Sequence, residues 1–194
     1  MIVRVSKSVV STFIAWGVIP DEDIEIYEYS FELLISSVLS FLAIGLIAAI
    51  TRTVSNTVLY VLGFVPLRLI AGGYHAKSHF KCFLILMLSY AALQSLVFFL
   101  QGAGATPALL LVSISVTLVM ALAPCPDSNK PISDSEARRF FVLSRITVVI
   151  YAVIISVLSI FLTSKTIGLS LALGVFTASI SLLASYIKNK FNTR

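Results

Sequence analysis

Charge, cysteine and histidine are all scarce in this chain of 194 residues. Charged residues make up 12% of it and hydrophobic ones 58%, whereas a soluble domain carries roughly 25% charged residues. So little polar surface cannot coat a water-facing particle of this size, which excludes a soluble enzyme and a disordered chain. The 14 Lys and Arg exceed the 9 Asp and Glu. They cluster at the ends of apolar runs, as cations that anchor membrane helices do, and form no stripe for nucleic acid. Two cysteines, Cys82 and Cys125, cannot build a disulfide framework, and each is expected as a free thiol. The apolar stretch 8–19 is broken by Ser11 and Thr12 with no small-x-small cleavage site after it, so a retained N-terminus is expected. A mean hydropathy of +1.01 leaves an integral membrane protein.

What the chain has is a succession of apolar runs. A crossing helix takes about 20 predominantly apolar residues. The runs 31–51, 82–100, 107–123, 141–163 and 167–187 suit this. The run 54–70 is weaker: Asn56, Pro66 and Arg68 interrupt it and Gly72-Gly73 follow, which predicts a span that stops short or unwinds near one interface. The expected fold is an all-α polytopic membrane bundle of about six apolar segments. Four to six of them are true spans, four if 31–70 is a re-entrant pair.

Ile2, Val5, Val9, Phe13 and Trp16 recur at helical spacing between Arg4, Lys7, Ser8 and Ser11. They predict an amphipathic helix, lying at the membrane surface or packed on the bundle. Six of the nine carboxylates follow, at Asp21, Glu22, Asp23, Glu25, Glu28 and Glu32, on a solvated helix face entering the bilayer. One domain is expected, with an interfacial region 1–30, a bundle 31–187 and a tail 188–194. Lys and Arg crowd 68–81, 130–145 and 188–194, while 101–106 is uncharged. The positive-inside rule then puts both termini and these basic segments in the cytoplasm. Arg68 and Arg145, near span ends, are expected to snorkel to the interface.

Both histidines, His75 and His79, lie within eight residues of Cys82. Three readings compete. In the first, Cys82 is a nucleophile and a histidine its base. A free thiol is only a few per cent ionised at neutral pH. Ser78 as N-cap would put Cys82 near the positive end of a helix, and Lys77 and Lys81 add charge. In an unbroken helix His75 and Cys82 would stand roughly 10 Å apart, beyond the ~3 Å that proton transfer needs. The chain must therefore bend, and Gly72-Gly73 and Ser78 are suitable places. In the second reading His75, His79 and Cys82, at i, i+4 and i+7, hold zinc, with Cys125 or an acid as fourth ligand. In the third they are a headgroup-level histidine and a buried thiol.

Arg68, Gly73, His75-Ala76 and Cys82 follow the pattern R-x4-G-x-H-A-x5-C at the boundary of two apolar runs. With its length, amphipathic start and multi-span hydropathy, the chain resembles the accessory gene regulator B (AgrB) family, membrane peptidases that process quorum-sensing pro-peptides. The resemblance implies Cys82 as nucleophile and His75 as base, with Arg68 and Gly73 in support. His79 matches no required position and stays a rival base. Asp127, Asn129 and Asp134 are candidates, by exclusion, to orient the imidazole, and Cys125 reads as a spare thiol. The implied partners are a pro-peptide of the AgrD type, the lipid bilayer and, from the family, a second copy in a homodimer; no cofactor, metal or nucleic acid is implied. Family substrates tend to carry an acidic C-terminal segment, which Arg68, Lys77, Lys81, Lys130, Arg138 and Arg139 could steer. Alternatively, these cations only set topology. A small transporter or scaffold is the rival from another class, although no span carries a carboxylate at its middle.

Overall fold

A computed structural model describes residues 2–18, 20, 24–74, 79–100, 102–125, 134–162 and 164–192, with 79, 93, 134 and 192 described by backbone alone. Among these are seven helices and no strand: α1 (Ile2–Ala15), α2 (Ile24–Thr51), α3 (Val54–Ala71), α4 (His79–Leu100), α5 (Thr106–Leu122), α6 (Asp134–Phe161) and α7 (Lys165–Asn192). Ile24–Thr51, Val54–Ala71, Phe80–Leu100, Ser135–Phe161 and Lys165–Phe191 are long and apolar enough to cross a membrane. Thr106–Leu122 is shorter, near 25 Å at about 1.5 Å per residue. The result is the expected all-α polytopic bundle, and α2 and α3 are each long and apolar enough to span.

The run 54–70 does not unwind within itself. Pro66 lies inside α3, where its missing N–H orphans the carbonyl four residues earlier. That carbonyl, on Leu62, accepts the Tyr151 hydroxyl of α6 at 2.5 Å, so the helix continues unbroken to Ala71. A neighbouring helix thus supplies the hydrogen bond that lipid cannot.

α3 and α7 form the spine. A Cβ on Gly63 would stand 2.6 Å from the Leu171 carbonyl, and one on Gly174 would overlap the Tyr60 carbonyl. Only glycines let the two backbones approach this closely, which is how membrane helices gain packing without a hydrophobic drive. α5 and α6 flank this spine. On its other side stand α2 and α4, the latter tied in by Tyr90 Oη to Thr57 Oγ1 at 2.6 Å and by Gln94 donating to the same Oγ1 at 3.3 Å.

α1 packs on the start of α2. Ser6 donates to the Glu28 carbonyl at 2.6 Å, Lys7 pairs with Glu28 at 3.7 Å, and Phe13 stacks on Phe31. Trp16, in the turn just past the end of α1, is exposed. The helix of α2 begins within the acidic stretch, with Glu25 in its first turn; Asp21, Glu22 and Asp23 lie outside the described residues.

Candidate functional site

Helical geometry ends at Ala71 because Gly72 and Gly73 take φ values of +83° and +146°, in the region open to glycine but costly for L side chains. Neighbours enforce this. The Cys125 N–H donates to the Ala71 carbonyl at 3.1 Å, and the Cys125 carbonyl lies where a Gly72 Cβ would be. Likewise, a Cβ on Gly73 would fall on the Arg68 guanidinium.

The next residue, Tyr74, is held at three points. Its N–H donates to the Ser181 carbonyl at 2.9 Å. Its carbonyl accepts from the Arg68 guanidinium. Its ring lies under Lys188 Nζ, 5.3 Å from the ring centre, within cation–π range. Arg68 therefore does not snorkel outward; it turns along the end of α3 to clamp the turn. Arg145 does not snorkel freely either. It donates to the carbonyls of Ala123 at 3.1 Å and Met120 at 2.8 Å, capping the end of α5, and stacks on Phe141.

α4 opens at His79, so Cys82 occupies its first turn, exposed. The first N–H groups of any helix lack intrahelical partners and favour anions. Cys82 also lines a cavity of about 270 Å³ bounded by α2, α3, α4 and α7. Arg68 and Tyr74 line it from the spine side. Most of the remaining wall is apolar, relieved by hydroxyls from α2 (Ser36, Ser37, Ser40), α4 (Ser89) and α7 (Thr177, Ser181).

Of the residues singled out from sequence, Cys82, Arg68 and Gly73 thus come together around one turn and one cavity. His75, Lys77, Ser78, Asp127, Asn129 and Lys130 lie outside the described residues, and His79 and Asp134 are described by backbone alone. Lys81 is exposed beside Cys82. Arg138 and Arg139 are exposed on α6, which packs on α5, α7 and α3, and they do not line the cavity. Among the described residues no three of His, Cys, Asp and Glu gather as metal ligands.

Sequence reasoning missed Tyr74, Ser181 and the cavity hydroxyls. Their only signal is spacing: Ser36 and Ser40, and Thr177 and Ser181, recur four apart inside apolar runs. Cys125 is a free thiol, as expected, and is buried: its thiol donates to Ser185 Oγ at 3.7 Å and accepts from Asn189 Nδ2 at 3.6 Å, while its backbone pairs with the end of α3.

Compared with known proteins, the chain matches the family model described as Accessory gene regulator B over residues 6–182. No curated protein and no solved structure matches it.

Proposed function

The chain belongs to the accessory gene regulator B family, whose members take part in processing quorum-sensing peptides, and on that footing we propose that it is a membrane-embedded cysteine endopeptidase. Its substrate is a pro-peptide of the AgrD type, cut to release a C-terminal fragment on the cytoplasmic side. Cys82 is the nucleophile and His75 the base. One observation carries the reading: the exposed thiol of Cys82 and the clamped turn that leads directly into His75 border the same cavity.

The chemistry proceeds by acyl transfer. The Cys82 sulfur attacks a backbone carbonyl, and the oxyanion is met by backbone N–H groups at the start of α4, the positive end of its dipole. The C–N bond breaks, His75 delivers the proton to the departing amine, and a thioester to Cys82 remains. A thiol or hydroxyl within the retained peptide attacks that thioester, the Cys82 sulfur leaves, and a thiolactone or lactone ring closes. Arg68 and Gly73 act through the turn as positioning residues: they hold Tyr74, the residue that precedes His75 in the chain. Lys77 and Lys81 add positive charge near the sulfur, and Arg138 and Arg139 attract the acidic fragment from farther away.

The test follows precursor cleavage in cells expressing the protein with its pro-peptide, at equal membrane abundance of each variant. Cys82→Ala and His75→Ala should each lower cleavage by a factor on the order of 10³ or more. Cleavage by Cys82→Ala at the wild-type rate would end the proposal. Loss with His79→Ala but not with His75→Ala would move the base to the first residue of α4.

A further inference from the structure

We infer that the cavity beside Cys82 is the groove for the acyl side of the substrate, and that its hydroxyls hold that segment so that ring closure outruns hydrolysis. The inference rests on the endopeptidase reading and adds to it where the retained peptide lies and what decides its fate.

The cavity's size and lining fit a short neutral peptide segment. Its volume, about 270 Å³, equals some nine waters at ~30 Å³ each, enough for a few side chains. Among the described residues Arg68 is the one charged residue of its lining, and that side chain is engaged with the Tyr74 carbonyl. An acidic tail therefore gains little inside, and the two halves of the substrate separate by chemistry. The apolar half enters the cavity, and the acidic leaving half stays with the exterior cations.

The hydroxyls are directional. Ser40 donates to the Ser36 carbonyl at 2.8 Å, Thr177 to the Leu173 carbonyl at 2.7 Å, and Ser89 to the Ile85 carbonyl. Each hydrogen is spent on its own helix, so what each side chain has left for the cavity is oxygen lone pairs. A peptide in an apolar groove presents backbone N–H groups that lipid cannot satisfy. Acceptors on three helices meet that need without reading side-chain identity, while Phe41 and Leu86 on the same wall keep water out. The thioester to Cys82 then faces a choice. Attack by the peptide's own thiol or hydroxyl gives a ring and returns the Cys82 thiol; attack by water gives a linear acid and the same thiol. Holding the segment in place favours the first.

The experiment measures the ratio of cyclic to linear product among cleaved molecules, by mass spectrometry of peptides released from cells co-expressing the pro-peptide. Ser40→Ala, Ser89→Ala and Thr177→Ala should each lower that ratio by about three- to tenfold, the effect expected for one hydrogen bond. Ser40→Thr, which keeps the hydroxyl, should restore it. Ser95→Ala and Ser113→Ala remove exposed hydroxyls with the same backbone bond on α4 and α5, outside the cavity lining, and should leave the ratio unchanged. A wild-type ratio in all three cavity variants overturns the inference, as does an equal fall in the two controls. If Cys82→Ala still cleaves, the endopeptidase reading has failed instead, a result the ratio alone cannot imitate.

Discussion

Two helices of similar hydropathy, α7 and α4, have opposite roles in the bundle. Of the residues in the spanning stretch of α7, 61% are buried, against 12% for α4. Hydropathy does not separate them, because it reports avoidance of water and not proximity to the centre. Residue size does. α7 presents Gly168, Ala172, Gly174, Ala178 and Ser179 to its neighbours, whereas α4 turns Leu84, Ile85, Leu88, Phe98 and Phe99 outward. Small residues admit other backbones and large aliphatic ones suit lipid. The candidate site runs along the seam between these two regimes. Arg68, Tyr74, Thr177 and Ser181 stand on the tightly packed wall, and Cys82 and Ser89 on the lightly held one.

The sharpest way to break this contrast is to add bulk to the spine. Gly174→Leu drives a side chain into the Tyr60 carbonyl, where neither helix can yield without separating from the other. Overpacking of this kind costs about 3 kcal/mol or more, and we expect the variant to fail to accumulate in the membrane. Leu88→Ala, on the exposed face of α4, should stay within ~0.5 kcal/mol of wild type. Thermal aggregation of detergent-solubilised protein measures both. Equal stability of the two variants would remove the distinction between spine and outer wall.

A change at the turn should separate activity from stability. Gly73→Ala forces a side chain into a positive φ and onto the Arg68 guanidinium. Backbone strain of this kind is worth about 1–3 kcal/mol. It falls beyond the end of α3, so membrane abundance should hold. Cleavage should drop by about 10- to 100-fold, because the clamp on Tyr74 must open to accommodate the methyl. Comparing cleavage with abundance checks this, and a fall in both together would reassign Gly73 to folding.

Much of this architecture was legible in the sequence. The apolar runs gave the helices, and Gly72-Gly73 gave the end of α3; the bend expected between His75 and Cys82 falls on positions outside the described residues. Pairwise events between distant segments were not legible. Pro66 argued against a continuous α3, and only the Tyr151 hydroxyl, 85 positions further on, removes the objection. Arg68, read alone, was a cation free to reach the interface. Its inward turn depends on Gly73 having no side chain and on a Tyr74 carbonyl positioned by Ser181 of α7. Such features need the third dimension because each partner is unremarkable by itself. The cavity hydroxyls belong to the same class: one serine in a span means little, and a ring drawn from three helices can be a site.

The two cysteines close the comparison with the smallest expected effect. Cys125 is 6% exposed, and its sulfur makes long contacts to Ser185 and Asn189, at 3.7 and 3.6 Å. What ties this segment to the end of α3 is backbone: the Cys125 N–H on the Ala71 carbonyl, at 3.1 Å, beside Gly72. Cys125→Ala keeps that bond and deletes only weak sulfur interactions, so it should cost about 1 kcal/mol or less. Cleavage should remain within roughly twofold of wild type, as for changes away from reacting groups. The same substitution at Cys82 should abolish cleavage. Were Cys125→Ala as disabling as Gly73→Ala, the turn before His75 would depend on the buried sulfur, and the main-chain clamp would not be enough to hold it.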